Sequence, residues 1–207
     1  MDIPTLTGAH VRLEPLELRH AAALTQAANE DREPYRWSFV PQTRSEMEEY
    51  IGRACSMRDK GRALAFAIVR LRDGAPAGST RLFEMERWSW PPGHPRSGGD
   101  APDVAEIGYT WLARSAMRTA ANTEAKQLLL TYGFESLNLL RICFHTDARN
   151  ERSANALDRI GARFEGVLRA HRLGTDLQPR DSKRYAITAP DWPDAKARLI
   201  ALGRASA

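Results

Sequence analysis

The stretch from Glu106 to Gly161 constrains this chain more than any other. Glu106-Ile-Gly-Tyr-Thr-Trp-Leu112 alternates like a strand. Met117-Arg-Thr-Ala-Ala-Asn122 brings small residues to the place where a helix begins, and Ala125, Leu128, Leu129 and Tyr132 then recur at helical spacing. Arg141-Ile-Cys-Phe-His-Thr146 is a further strand, and Asn150-Glu-Arg-Ser-Ala-Asn155 opens a second helix. Two strands joined through a helix require parallel pairing or a crossover. The free N–H groups of a helix that starts just after a strand form a receptacle for phosphate. The block therefore points to a phosphorylated ligand.

The flanking sequence supplies an antiparallel half. Val11–Leu16 reads as a first strand and the Ala-rich Leu18–Ala28 as a helix. Ser45 with Glu48 three residues on reads as a capping box, and Met47, Tyr50, Ile51 and Ala54 then share one helical face. Ala65–Leu71 and Gly78–Met85 are strands joined at the turn signal Asp73-Gly74. Arg163–Arg172 and Arg184–Thr188 are the closing strands, with a turn near Gly174-Thr-Asp176, and residues 191–207 form a C-terminal helix. Consecutive strands in the middle and a strand–helix–strand unit after them predict a mixed sheet of α+β class, about seven strands flanked by four to five helices. Neither a repeat nor a linker divides the chain, so residues 1–207 are expected to be one domain with an insertion loop at 88–103. That loop packs three prolines, three glycines and two tryptophans into Trp88–Asp100. Loops of this length are functional or disordered, and Trp88 and Trp90 suit an acceptor lid, a dimer contact or a packed surface loop.

Charge and composition exclude several classes. The 207 residues are 43% hydrophobic and 27% charged, ordinary for a soluble domain with a sizeable core. The net charge of +4 comes from arginines scattered among acids, without the basic runs of a nucleic-acid tail, and it suits a polyanionic ligand. Cys55 and Cys143 have neither metal-ligand spacing nor partners for a disulfide framework, which fits a reducing, cytoplasmic setting. His10, His20, His94, His145 and His171 form no spaced cluster, so no metal site is expected, and His145 reads as a packing or surface residue. The start Met1-Asp-Ile-Pro-Thr carries no signal-peptide pattern, and no apolar run approaches a membrane span. Nucleic acid and membrane are therefore not expected partners.

The order of elements, with these residues, resembles the GNAT family of acyl-CoA-dependent N-acyltransferases, and most of all its RimJ/RimL-like branch. The resemblance rests on Leu6-Thr-Gly-Ala-His-Val-Arg-Leu-Glu-Pro-Leu16, on Glu106-Ile-Gly-Tyr, on Asn150-Glu-Arg-Ser153 followed by Gly161-Ala-Arg-Phe-Glu-Gly-Val-Leu168, and on Asp181-Ser-Lys-Arg-Tyr-Ala-Ile187. It implies acetyl-CoA as the donor and a primary amine as the acceptor, either a protein N-terminus or a small molecule, with direct attack in a ternary complex. The family's pyrophosphate turn, Gln/Arg-x-x-Gly-x-Gly/Ala, is altered here to Met117, Arg118, Thr119, Ala120, Ala121 and Asn122. Backbone N–H donation does not need the missing glycines, and a helical φ tolerates the added methyl. Arg114 and Arg118 can add charge-assisted contacts to phosphate.

The resemblance also implies roles. A backbone N–H among Tyr109, Thr110, Trp111 and Leu112 would hold the thioester carbonyl beside a splay in the sheet. Glu106 is the candidate general base, as a carboxylate of raised pKa, or else a strand glutamate paired with arginine; Glu84 is a second candidate. Ser153 would meet the departing sulfur or the pantetheine, Asn150 and Asn155 the pantetheine arm, and Asn150 doubles as an N-cap. Leu157 stands where many relatives carry a tyrosine general acid. Tyr35-Arg36-Trp37-Ser38-Phe39 matches the acceptor loop, so Tyr35 and Trp37 are expected at the acceptor together with Glu84 and Trp88. Three alternatives remain open: a longer donor such as succinyl-CoA, a non-catalytic CoA-binding or protein-binding module, and a homodimer.

Overall fold

A computed structural model describes residues 3–205; the outermost residues of the expected domain and C-terminal helix, 1–2 and 206–207, lie outside it. Eight strands form one sheet in the order β1-β2-β3-β4-β5-β6-β8-β7. They are β1 (Leu6–Thr7), β2 (Val11–Pro15), β3 (Ala63–Arg70), β4 (Pro76–Glu86), β5 (Val104–Leu112), β6 (Arg141–Asp147), β7 (Arg163–Leu173) and β8 (Pro179–Thr188). The helices are α1 (Ala21–Ala28), α2 (Arg44–Asp59), α3 (Ala121–Thr131), α4 (Glu151–Arg159) and α5 (Trp192–Ala205). The α+β class and mixed sheet are as expected. The eighth strand is β1, two residues paired to Leu13 and Arg12, too short to leave a period in the sequence.

β1 to β5 pair antiparallel, β5 and β6 pair parallel across α3, and β8 inserts antiparallel between β6 and β7. β3 is buried along nearly its whole length, as a strand covered on both faces must be. Met47, Tyr50, Ile51 and Ala54 form the buried face of α2, as their spacing requires. Its capping box differs from the expected one: Thr43 Oγ1 accepts from the Glu46 N–H, and Glu46 Oε2 accepts from the Thr43 N–H. Thr43 is the extended residue before the first turn, whereas Ser45 already lies inside the helix, where no cap is needed.

Two bulges shape the middle of the sheet. Ser79 faces Trp111 and Arg81 faces Gly108, so Tyr109 and Thr110 together oppose Thr80. Tyr109 takes a positive φ of 51° there. The second bulge is on β4, between Phe83 and Glu86, where Glu84 has φ 49°. Gly78 is required by close approach, because a Cβ there would lie 2.1 Å from the Trp111 carbonyl oxygen.

Candidate active site

The β5–β6 ladder is short. Val104, Ala105 and Glu106 pair with Arg141, Ile142 and Cys143, and pairing then stops although β5 continues to Leu112 and β6 to Asp147. A wedge opens between the two strands from this point. Its β5 wall is the bulged segment of Tyr109, Thr110, Trp111 and Leu112, whose backbone faces no parallel neighbour. Arg81, itself buried, holds the bulge: its guanidinium lies 4.2 Å from the Tyr109 ring centre and 4.3 Å from that of Tyr50. The Tyr50 hydroxyl sits 2.8 Å from Ser79 Oγ.

α3 starts beside this wedge. Met117 is extended, Arg118 turns through a left-handed φ of 59°, and Ala120 caps α3 with φ −61°. The helix thus begins four residues later than Met117, after a sharp turn. Ala120 occupies the family's glycine position with an ordinary helical backbone, so its methyl costs no strain. Thr119 Oγ1 accepts from the Ala121 N–H, while the N–H groups of Asn122 and Thr123 have no backbone acceptor among the described residues. The exposed Arg118 flanks them. Arg152 of α4 reaches the same turn, with Nη1 3.7 Å from Met117 Sδ and Nη2 donating to the Pro34 carbonyl at 2.6 Å. Free amides, a helix start and arginines fit a pyrophosphate.

Glu106 is buried on the opposite side of the last ladder pair, in a pocket of about 220 Å³ also lined by Glu84, Glu86, His145, His171 and Arg172. Arg172 grips it bidentately, Nη2 at 2.8 Å from Oε2 and Nη1 at 3.2 Å from Oε1. His145 Nδ1 approaches Oε2 to 2.9 Å without the in-plane alignment of a hydrogen bond, and neither ring nitrogen has a hydrogen-bond partner among the described residues. The rings of His145 and His171 lie 4.7 Å apart. Burial pushes the Glu106 carboxyl up, but the His145 contact and the Arg172 guanidinium outweigh it, and the carboxyl lies below its ordinary value. This corrects the expectation of a raised pKa. Burial, with the Arg172 charge next, lowers His171.

The remaining expected residues divide. Glu84 joins Glu106 at the pocket. Asn150 caps α4, its Oδ1 accepting from the Ser153 N–H at 3.1 Å, and the half-buried Ser153 makes no side-chain hydrogen bond among the described residues. Asn155 is exposed on α4. Tyr35 is buried, with its hydroxyl donating to the Leu112 carbonyl at 2.8 Å and its ring edge-on to Trp111. It ties the α1–α2 loop to the wedge wall, and burial pushes its phenol up to about 12. Trp37 lies between the Arg36 and Arg149 guanidinium groups in a separate pocket of about 370 Å³. Trp88 lines neither pocket; its N–H donates to the buried Asp103, which also holds Trp90 Nε1 and Arg96. That carboxylate organises the 88–103 loop. Sequence reasoning missed His145, His171 and Arg172, and Lys126 of α3, which is buried behind the wedge. They come from three separate elements, and no spacing links them.

These features define a CoA-type acyltransferase site. The profile of the acetyltransferase (GNAT) domain matches residues 10–163, and the chain belongs to the GNAT superfamily, in its RimJ/RimL-like branch. Among curated relatives it is 26% identical over 192 residues to the Bacillus subtilis (strain 168) protein named "Putative ribosomal N-acetyltransferase YdaF", covering 90% of this chain and 96% of that one. Similar solved structures include a GCN5-related N-acetyltransferase from Brucella melitensis, with TM-score 0.82, 27% identity and coverage of 98% and 86% of the two chains. Mycobacterium smegmatis RimJ in complex with CoA-disulfide has TM-score 0.79, 26% identity and coverage of 97% and 95%. An acetyltransferase from T. thermophilus reaches 33% identity with TM-score 0.76 and 98% coverage of both chains.

Proposed function

We propose that the protein transfers an acetyl group from acetyl-CoA to a primary amine, and that the amine is a protein N-terminus. The observation that carries this reading is the wedge beyond the Glu106–Cys143 pair, which runs between the free amides of α3 and the acidic pocket. In it, the Asn122 and Thr123 N–H groups and Arg118 hold the pyrophosphate, and Asn150 and Ser153 line the arm. Acetyl-CoA supplies an activated acyl group. A backbone N–H among Tyr109–Leu112 stabilises the carbonyl oxygen as it gains charge. Glu84, Glu86 and Glu106 attract the cationic amine, and Glu106 takes its proton, directly or through water.

The low basicity of Glu106 favours a particular acceptor. An α-amino group has a pKa of about 7.7–8.0 and a lysine about 10.4, so at neutral pH an N-terminus needs far less help to become nucleophilic. The name of the Bacillus subtilis relative points the same way.

Thermal unfolding with acetyl-CoA, CoA and NADH tests the donor. Ligand at about 100 times its Kd stabilises by about 2.7 kcal/mol, a shift of several degrees. Shifts with both CoA species but not NADH, followed by acetylation of N-terminal peptides over lysine-only peptides, are expected. The absence of any CoA-dependent shift would hand the lead to a non-catalytic module with a decayed cradle.

A further inference from the structure

Lys126 is buried, 8% exposed, on the core-facing side of α3. Its Nζ donates to Thr110 Oγ1 at 3.0 Å and lies 5.4 Å from the centre of the Phe144 ring. Thr110 belongs to β5 and Phe144 to β6, and both come just after the last ladder pair of these strands. The ammonium therefore touches both walls of the wedge at the depth where the sheet parts. Thr110 Oγ1 is itself 2.8 Å from Thr80 Oγ1. A lysine ammonium has three donors, and Thr110 is the only hydrogen-bond acceptor found for it among the described residues. A buried cation with one neutral acceptor is a costly arrangement for a merely structural residue.

The groups packed around it are Thr110 and Thr80 from β5 and β4 and the Phe144 ring from β6, all uncharged. Among the described residues, the Glu106 carboxylate is the one charge that acts on it appreciably. Burial lowers the ammonium to about 7, against the pull of Glu106. Two groups are thus poised around one wedge, a lysine able to release a proton near neutral pH and a carboxylate able to take one.

We propose that Lys126 meets the sulfur end of the acyl donor and gives it a proton as the thioester opens. The inference rests on the acetyltransferase reading above and deepens it. The bond from amine nitrogen to carbonyl carbon forms and the carbon–sulfur bond breaks, with its electron pair going to sulfur. Sulfur takes the proton from Lys126 Nζ, and the amine's proton goes to Glu106. Return of that proton from Glu106 to Lys126 resets the site. Lys126 thereby supplies the acid that Leu157 cannot, from a different helix.

The test compares wild type with Lys126→Met, a similarly long apolar side chain suited to the buried site. Acetyl-CoA thermal shifts on both proteins first establish donor binding. Ultraviolet thiolate absorbance then titrates the thiol of bound free CoA, which a neighbouring lysine should lower. The thiol is expected to titrate at least about one unit lower in wild type than in the variant. Turnover of the variant should fall by about 10²-fold, and the alkaline fall of kcat that wild type shows near pH 7 should vanish. Equal thiol titrations, unchanged turnover, or a wild-type kcat that stays flat through pH 7 would each overturn the role of Lys126. Loss of donor binding in the variant alone would make Lys126 a binding group instead. Failure of wild type to bind any CoA species would overturn the acetyltransferase reading itself, and Lys126's role with it.

Discussion

At the scale of residues, the site's chemistry is set by which charges are buried together. Glu106 is held ionised by Arg172 and His145, so its active form persists as pH falls to below the ordinary 4.5 of a glutamate. Glu106→Gln should lower turnover by about 10²-fold or more at neutral pH. The wild-type acid limb of kcat/KM should lie below pH 4.5 so long as the fold survives; a limb near neutrality that disappears in the variant would show a carboxyl of raised pKa instead. Lys126 carries the opposite sign. Its folded-state pKa of about 7 lies far below its ordinary 10.5, so across that window the unfolded chain binds a proton that the folded chain does not. Stability contributed by this site therefore rises with pH through the window and is lowest below it. Lys126→Met should be more stable than wild type at pH 7 by up to a few kcal/mol, and the gap should close toward about pH 10. Denaturant melts at several pH values decide this, and a gap independent of pH would mean the ammonium is not desolvated. The place of Glu106 in a strand was legible from its alternation, but its clamp was not. Arg172 lies 66 residues further on, in a strand whose exposure gives no hint of which side chain turns inward.

At the scale of elements, the site depends on irregularities in otherwise regular structure. The alternation of Glu106–Leu112 located β5, yet it concealed the bulge at Tyr109 and Thr110, because a bulge is a property of two strands in register and not of one. The phosphate cradle shows the converse. Small residues before a helix were legible, but the left-handed turn at Arg118 was not, since arginine carries no signal for a positive φ. β4 reaches β5 closely only because Gly78 lacks a side chain. The obstacle to a Cβ there is backbone, which cannot rotate away. Gly78→Ala should therefore cost about 2 kcal/mol or more, and it should also weaken CoA binding by moving the Trp111–Leu112 wall. Urea denaturation gives the first quantity and calorimetry the second. A well-tolerated alanine would mean that the β4–β5 ladder end is looser than its register implies.

At the scale of the whole molecule, the α1–α2 loop is fastened from three directions. Tyr35 joins it to β5 through the Leu112 carbonyl, Thr175 joins the β7–β8 turn to the Arg36 carbonyl at 2.6 Å, and Arg152 joins α4 to the Pro34 carbonyl. No single segment predicts these links, because each is a backbone carbonyl met by a side chain far away in the chain. Together they set the loop over the same wedge that α3 and α4 flank, so the donor and acceptor sides share one support. Arg152 is the link where the two sides meet, since its guanidinium touches both Pro34 and Met117 of the cradle turn. Removing it leaves the Pro34 carbonyl near the surface, where water replaces the lost donor, so stability should change by only about 1 kcal/mol. The cradle turn, in contrast, loses both a nearby positive charge and a constraint. Arg152→Ala should raise KM for acetyl-CoA by about 10-fold while kcat falls much less, because a pyrophosphate contact binds ground state and transition state alike. Steady-state kinetics with varied donor separates the two parameters. A loss confined to kcat would instead place Arg152 on the acceptor side, acting through the position of the α1–α2 loop.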